Sequence, residues 1–173
     1  LGFIGACVGS FLNVVAYRMP RGESVIWTPS HCPKCDHPIR AYDNVPVLGW
    51  LWLKGKCRDC KEPISPRYAI VEFAMGLAFF VLAYVELIPG GALQTVWNPQ
   101  WKVIGVYALH GLLLAWLMSM ALIAIDGQRI PWKLIIFGLV LGVLGLICGR
   151  SYIETMGILG YVVKACIQKS KKN

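Results

Sequence analysis

The chain has 173 residues, 57% hydrophobic and 15% charged, with a net charge of +8 and a mean hydropathy of +0.58. A soluble domain is nearer half apolar and about a quarter charged, so a water-soluble globule is excluded and a polytopic membrane protein is expected. The positive charge flanks apolar runs, where membrane proteins keep Lys and Arg on the cytoplasmic side, and this argues for lipid and against nucleic acid as a partner.

Taken in order, Leu1 to Tyr17 is a first span. Gly2, Gly5, Gly9 and Ser10 recur at near-helical spacing and give it a close-packing face. The run lacks a basic start and a small-residue cleavage site, so it reads as a span and not as a signal peptide. The start at Leu1, without Met, is expected to reflect a shortened or engineered N-terminus. Residues 18–67 form a polar insertion rich in Pro and Cys, and Tyr68 to Leu87 is the second span. Residues 88–102 form a turn-rich loop with PGG and WNPQW. Val103 to Ile125 is the third span, Gly127 to Lys133 a tight connection, and Leu134 to Cys148 the fourth span. Tyr152 to Ile167 is a weaker fifth, followed by the basic tail QKSKKN, and no internal repeat is read. The expected fold is an all-α polytopic membrane protein of about five spans with a small zinc-stapled cytoplasmic insertion. Its parts are a first span at 1–17, the insertion at 18–67 and a helical region at 68–173.

Charge sets the orientation. The insertion holds Arg18, Arg21, Lys34, Arg40, Lys54, Lys56, Arg58, Lys61 and Arg67, more than half of the 17 basic residues, whereas the 88–102 loop holds only Lys102. Alternating spans then put the insertion, Asp126 and the tail in the cytoplasm.

Cys32-Pro-Lys-Cys35 is followed, after 21 residues, by Cys57-Arg-Asp-Cys60. Two such pairs at this separation are a four-thiolate zinc signature, since each presents two thiolates on a tight knuckle. With all four positions filled by the protein, the ion would be structural. Two disulfides are the alternative, and a reducing cytoplasm disfavours them. Cys7, Cys148 and Cys166 are expected to be apolar packing residues.

Three ionisable residues stand in or beside apolar runs. Asp126 closes the third span, and a carboxylate there is costly unless solvated, paired or used. Capping of the helix that begins near Ile130 is its plainer reading. Glu72, inside the second span, either faces a cavity or reaches back toward Arg67 and Tyr68. His110 in the third span is a packed, hydrogen-bonded histidine or a proton carrier.

Two stretches, GSFLNVVAYRMPRG (9–22) and CPKCDHPIRAYDNVPVLGWLWLKGKCRDCKEPISPRYAIVE (32–72), closely resemble the prepilin peptidase family. The resemblance continues more loosely to Asp126. It implies a polytopic aspartic protease that removes the leader of type IV pilin-like precursors at the cytoplasmic face of the inner membrane. In many members it also implies methylation of the new N-terminal amine from S-adenosylmethionine. Asp126, with Ile130-Pro131 behind it, matches the first catalytic aspartate, and Glu72 falls in a Pro-Arg-Tyr-x-x-Val-Glu pattern that makes it a substrate-binding candidate. The family's second aspartate sits in Gly-x-Gly-Asp. No such segment occurs here, and the one acid after Asp126 is Glu154. Aspartic proteolysis divides base and acid between two carboxylates, so the chain is expected to be either a protease cut short of its second aspartate or a homologue that binds precursors without cutting.

Overall fold

The structure, a computed structural model, describes residues 1–27, 29–87 and 101–155, and among these it is all-helical, without a β-strand. The helices are α1 (Gly2–Arg18), α2 (Leu48–Trp52), α3 (Arg67–Leu87), α4 (Trp101–Ile125) and α5 (Trp132–Thr155), with short 3-10 turns at Met19–Arg21 and Ala41–Asp43. Three segments, Gly2–Arg21, Arg67–Leu87 and Val103–Ile125, are long and apolar enough to cross a membrane, and Trp132–Gly145 is a shorter apolar helix. The expected break between a fourth and a fifth span is absent: α5 runs unbroken through Gly149 and Arg150 to Thr155. Arg150 interrupts the apolar run without interrupting the backbone ladder. The 88–100 loop, the remainder of the fifth span with Cys166, and the basic tail lie outside the described residues.

The glycine face of α1 packs backbone to backbone on α3. A Cβ built on Gly5 would lie 2.5 Å from the Met75 carbonyl oxygen and 2.5 Å from Phe79 Cβ. One on Gly9 would lie 2.9 Å from Glu72 Cα. Gly76 returns the arrangement from the other side, 3.1 Å from the Gly2 carbonyl oxygen. In lipid no hydrophobic gain drives helices together, so such close approach supplies the dispersion contact that holds them. Around this seam Leu12, Ala16, Val71, Met75, Phe79, Leu122, Ile123 and Leu134 form the buried core. Phe79 meets Tyr107 edge-on at 6.3 Å, and Trp116 Nε1 donates to the Leu134 carbonyl at 2.8 Å. Phe73, Leu77, Phe80, Leu117, Ile136 and Leu139 point outward, where lipid tails are their natural solvent.

Between α3 and α4, His110 Nδ1 pairs with the Glu86 carboxylate. His110 is thus a hydrogen-bonded histidine, and its partner is an acid on the neighbouring helix.

Gly5→Leu should force α1 off α3 and cost about 1–3 kcal/mol, as overpacking does. Gly105→Ala, at a position with no atom within 4 Å of the new Cβ, should cost nothing. Thermal unfolding of the two variants in the same detergent reads the difference.

Candidate functional site

Two features lie between α1 and α3 and at the adjoining end of α4: a cluster of four cysteines and a polar cleft holding Asp126.

The cysteines sit on two knuckles of the same design. In the first, Cys32 N–H donates to the His37 carbonyl at 3.0 Å and Asp36 N–H to the Cys32 carbonyl at 2.9 Å. In the second, Cys57 N–H donates to Glu62 at 2.8 Å and Lys61 N–H to Cys57 at 3.2 Å. Bridges pair His31 with Pro38 and Lys56 with Pro63, and Asp36 and Lys61 share positive φ values of 59° and 60°. Each knuckle is closed by a following isoleucine, Ile39 onto Ser30 at 2.8 Å and Ile64 onto Gly55 at 2.7 Å. The sequence carries this as a repeat, CPKCDHPI at 32–39 and CRDCKEPI at 57–64, contrary to the expectation of none. A comparison of the chain with itself at the Cys32-to-Cys57 offset finds it.

The four Sγ atoms lie within 4.8 Å of one another, with Cys32 to Cys60 at 3.7 Å and Cys35 to Cys57 at 4.0 Å. Tetrahedral Zn–S bonds of about 2.3 Å require sulfur separations of about 3.8 Å, so the cluster has the dimensions of a metal site and could hold an ion. The amides of Cys35 and Lys34 pull the Cys32 thiol down to about 6. At Cys60 the Glu62 amide pulls the same way, but desolvation and the neighbouring sulfurs push it up to about 12. Four thiolates this close repel, and a cation would relieve them. Asp43 ties the segment between the knuckles to the second one: Arg58 Nε donates to its Oδ2 at 2.7 Å and Nη2 to its Oδ1 at 2.5 Å. This pairing holds the Asp43 carboxyl below its usual range.

A buried bond ties the segment between the knuckles to α3. Val47 N–H donates to the buried Glu72 carboxylate at 2.6 Å. Val47 has φ 63° and ψ −52°, and Leu48 N–H donates to the Pro46 carbonyl at 2.7 Å. That is the rare, strained form of the γ-turn, here centred on a β-branched residue. Glu72, expected to face a cavity or to reach back toward Arg67 and Tyr68, instead holds this turn, and it does not line the cleft described next.

Asp126 is the C-cap of α4. Gly127, at φ 62°, lets the chain reverse: its N–H bonds the Ala124 carbonyl at 3.0 Å, and Gln128 N–H bonds the Ile123 carbonyl at 3.1 Å, which is a Schellman closure. The Asp126 carboxylate therefore projects at the helix end, beside Arg67 at the start of α3. Arg67 grips it bidentately, Nη1 on Oδ1 and Nη2 on Oδ2, the latter at 2.9 Å. Capping of the following helix is thus not its role in the structure. The Arg67 guanidinium, with Arg21 adding charge, holds the Asp126 carboxyl below the ordinary carboxylate range. Asn13, Tyr17, Ser65, Arg67, Tyr68 and Asp126 line a cleft of about 160 Å³, enough for several waters. Asn13 Nδ2 donates to the Tyr68 carbonyl at 3.3 Å, and Arg21 stacks on the Tyr17 ring at 4.0 Å. Two of the insertion's arginines are engaged: buried Arg18 donates to the Pro29 carbonyl at 3.2 Å, and Arg40 to the Tyr42 hydroxyl at 2.9 Å.

Residues 3–86 match the family model of the bacterial peptidase A24 N-terminal domain. A prepilin leader peptidase/N-methyltransferase of Myxococcus xanthus is 44% identical over 101 residues, covering 56% of this chain and 30% of that protein. One from Stutzerimonas stutzeri is 32% identical over 187 residues, covering 92% of this chain and 59% of that protein. The type 4 prepilin-like proteins leader peptide-processing enzyme of Escherichia coli is 37% identical over 145 residues, covering 73% and 48%. The chain belongs to the prepilin peptidase family.

No solved structure matches it. It spans between about a third and three-fifths of the length of these curated prepilin peptidases. Its apolar helices and its family mark it as an integral membrane protein. Within the matched stretch fall Asn13, the four cysteines, Glu72 and Arg67; Asp126 lies beyond it. Sequence reasoning missed Arg67 and Asn13 as parts of the Asp126 cleft, although both stand in the stretches that carry the family resemblance.

Arg67→Gln should return the Asp126 carboxyl toward its ordinary pKa of about 3.9. With the folded value depressed, the ion pair stabilises above that ordinary pKa and is lost as pH falls through the depressed value. The variant should lack this acid-labile contribution. Carbon NMR of labelled aspartate carboxyls, followed against pH, checks the shift.

Proposed function

We propose that the chain carries one half of the catalytic apparatus of an aspartic prepilin leader peptidase, with Asp126 as one carboxylate of the pair. The observation that carries this reading is the Asp126 cleft: an ionised carboxylate at the end of an apolar helix, in a space large enough for water, beside a four-cysteine segment. Arg67 keeps Asp126 charged, so Asp126 takes the part of the base that activates water. A carboxylate has about four lone-pair sites; Arg67 uses two, and water can use the others. The protonated partner that polarises the scissile carbonyl is not among the 173 residues as a Gly-x-Gly-Asp segment. Glu154 is no substitute, because it lies near the far end of α5 from Asp126.

The substrate in this reading is a type IV pilin or pseudopilin precursor whose apolar helix lies in the inner membrane and presents its leader junction to the cleft. Residues 18–67 form a cytoplasmic zinc-binding segment, on the balance of Lys and Arg, and the zinc is structural because four thiolates leave no open position. The relatives' names add an N-methyltransferase activity, for which S-adenosylmethionine would be the donor. The alternative, recognition of precursors without hydrolysis, is separated from this reading by the cleavage and binding assay below.

Metal analysis of purified protein should find about one zinc per chain, as a closed four-thiolate site requires. Cys57→Ser should lower it. Two oxidised pairs without metal would remove the zinc assignment.

In a cleavage assay the 173-residue chain should leave prepilin intact, and the chain joined to a span bearing Gly-x-Gly-Asp should cut it. Asp126→Asn in the joined enzyme should then reduce the rate by on the order of 10² to 10⁴, the worth of a positioned base. Cleavage by the 173-residue chain alone, or full activity of the Asp126→Asn enzyme, would show the pair to be misassigned. Binding of precursor by both versions with cleavage by neither would favour recognition without hydrolysis.

A further inference from the structure

We propose that α2 is an interfacial anchor: Leu48, Leu51 and Trp52 seat in the headgroup layer of the bilayer that α3 crosses, and Lys54 and Lys56 engage anionic lipid phosphates there.

The first ground is the direction in which α2 faces. Its inner side is fully used. A Cβ on Gly49 would lie 2.1 Å from the Asp43 carbonyl oxygen, so this turn is pressed against the segment between the knuckles. Trp50 donates from Nε1 to the Ile64 carbonyl at 3.0 Å and lies over Gly55. The other side is bare: Leu48 is 59% exposed, Leu51 57% and Trp52 81%. Three large apolar side chains on one five-residue helix form a patch that a solvated segment would not keep.

The second ground is depth. Glu72 lies five residues into α3, about 7.5 Å along the axis at 1.5 Å per residue. Its carboxylate holds the amide of Val47, the residue before α2, at 2.6 Å. A glutamate side chain leans toward its helix N-terminus, yet even at full reach this bond leaves Val47 no higher than the level of Arg67, where the span begins. The helix that follows starts at that level, and its Trp50 reaches the Ile64 carbonyl, three residues before α3 begins. At that level a bare apolar patch meets the boundary between headgroups and acyl chains, which is where tryptophan concentrates.

The third ground is charge. Lys54 and Lys56 follow α2 directly, both are exposed, and neither enters an ion pair among the described residues. Lysines beside an apolar insertion gain from anionic lipid. Apolar side chains and lysines together match a lipid surface, whereas a protein groove would need no such pairing. The inference rests on the membrane span of α3 and not on the protease reading.

The test uses the full chain in vesicles of phosphatidylethanolamine and phosphatidylglycerol. A photoreactive benzophenone amino acid is placed at Trp52 or, as a lipid-facing reference, at Phe73, which is 62% exposed on α3. After illumination, mass analysis should find phospholipid adducts at both positions in comparable yield. Changing Lys54→Glu and Lys56→Glu together should lower the yield at position 52 several-fold and leave that at 73 unchanged. Metal content, unchanged in every variant, reports that the four-cysteine segment is still folded. Adducts at 73 without any at 52, or an adduct at 52 to another protein in place of lipid, would overturn the proposal. A yield at 52 indifferent to the lysine changes would overturn its electrostatic part.

Discussion

The backbone contact between α1 and α3 sets the position of everything at the mouth of the protein. Gly5, Gly9, Asn13 and Tyr17 are spaced by four and lie on one face of α1. The glycines bring the two helices together, and the same face, continued past them, lays Asn13 and Tyr17 beside Tyr68 and Arg67. The cleft is thus the polar end of a packing seam. Anything that separated the helices by the width of a methyl group would widen it and remove Asn13 from the Tyr68 carbonyl.

Asp126 stands where helix physics disfavours it. The C-terminal end of a helix carries partial negative charge, and a carboxylate there is opposed by roughly 0.3–1 kcal/mol. Arg67 compensates, and because it sits at the start of α3 it also joins the third long helix to the first two at their common end. Residues placed against a local rule and then supported by a specific partner mark sites kept for some purpose other than stability. The four-cysteine segment shows the complementary case. It has little apolar core, and its order comes from knuckle hydrogen bonds, the Asp43–Arg58 pair and a sulfur cluster of metal-binding size.

Patterns local in sequence were legible. The cysteine spacing announced the cluster, the glycine spacing announced the α1 face, and the end of an apolar run located Asp126. Pairings over long separations were not. Nothing near Asp126 names Arg67, 59 residues away, as its partner, and nothing near Glu72 points to Val47. Such bonds are fixed by how helices dock, which local periodicity does not encode. The same is true of Glu86 and His110, where the histidine drew attention and its acidic partner did not. The knuckle repeat was legible but hidden by method: hydropathy reads apolar period, whereas this repeat is one of turn chemistry, C-x-x-C followed by Pro-Ile. The boundary beyond Cys148 failed for the converse reason, since a charge that ends an apolar run need not end a helix.

The strained turn at Val47 gives the joint between membrane helices and cysteine segment an unusual mechanical character. A non-glycine residue held in such a conformation costs of order 1–3 kcal/mol and persists only where its surroundings hold it. Here the Glu72 side chain on the Val47 amide is the clasp. It fastens the helix that carries Arg67 to the segment that carries the sulfur cluster, so a shift of one would be felt by the other.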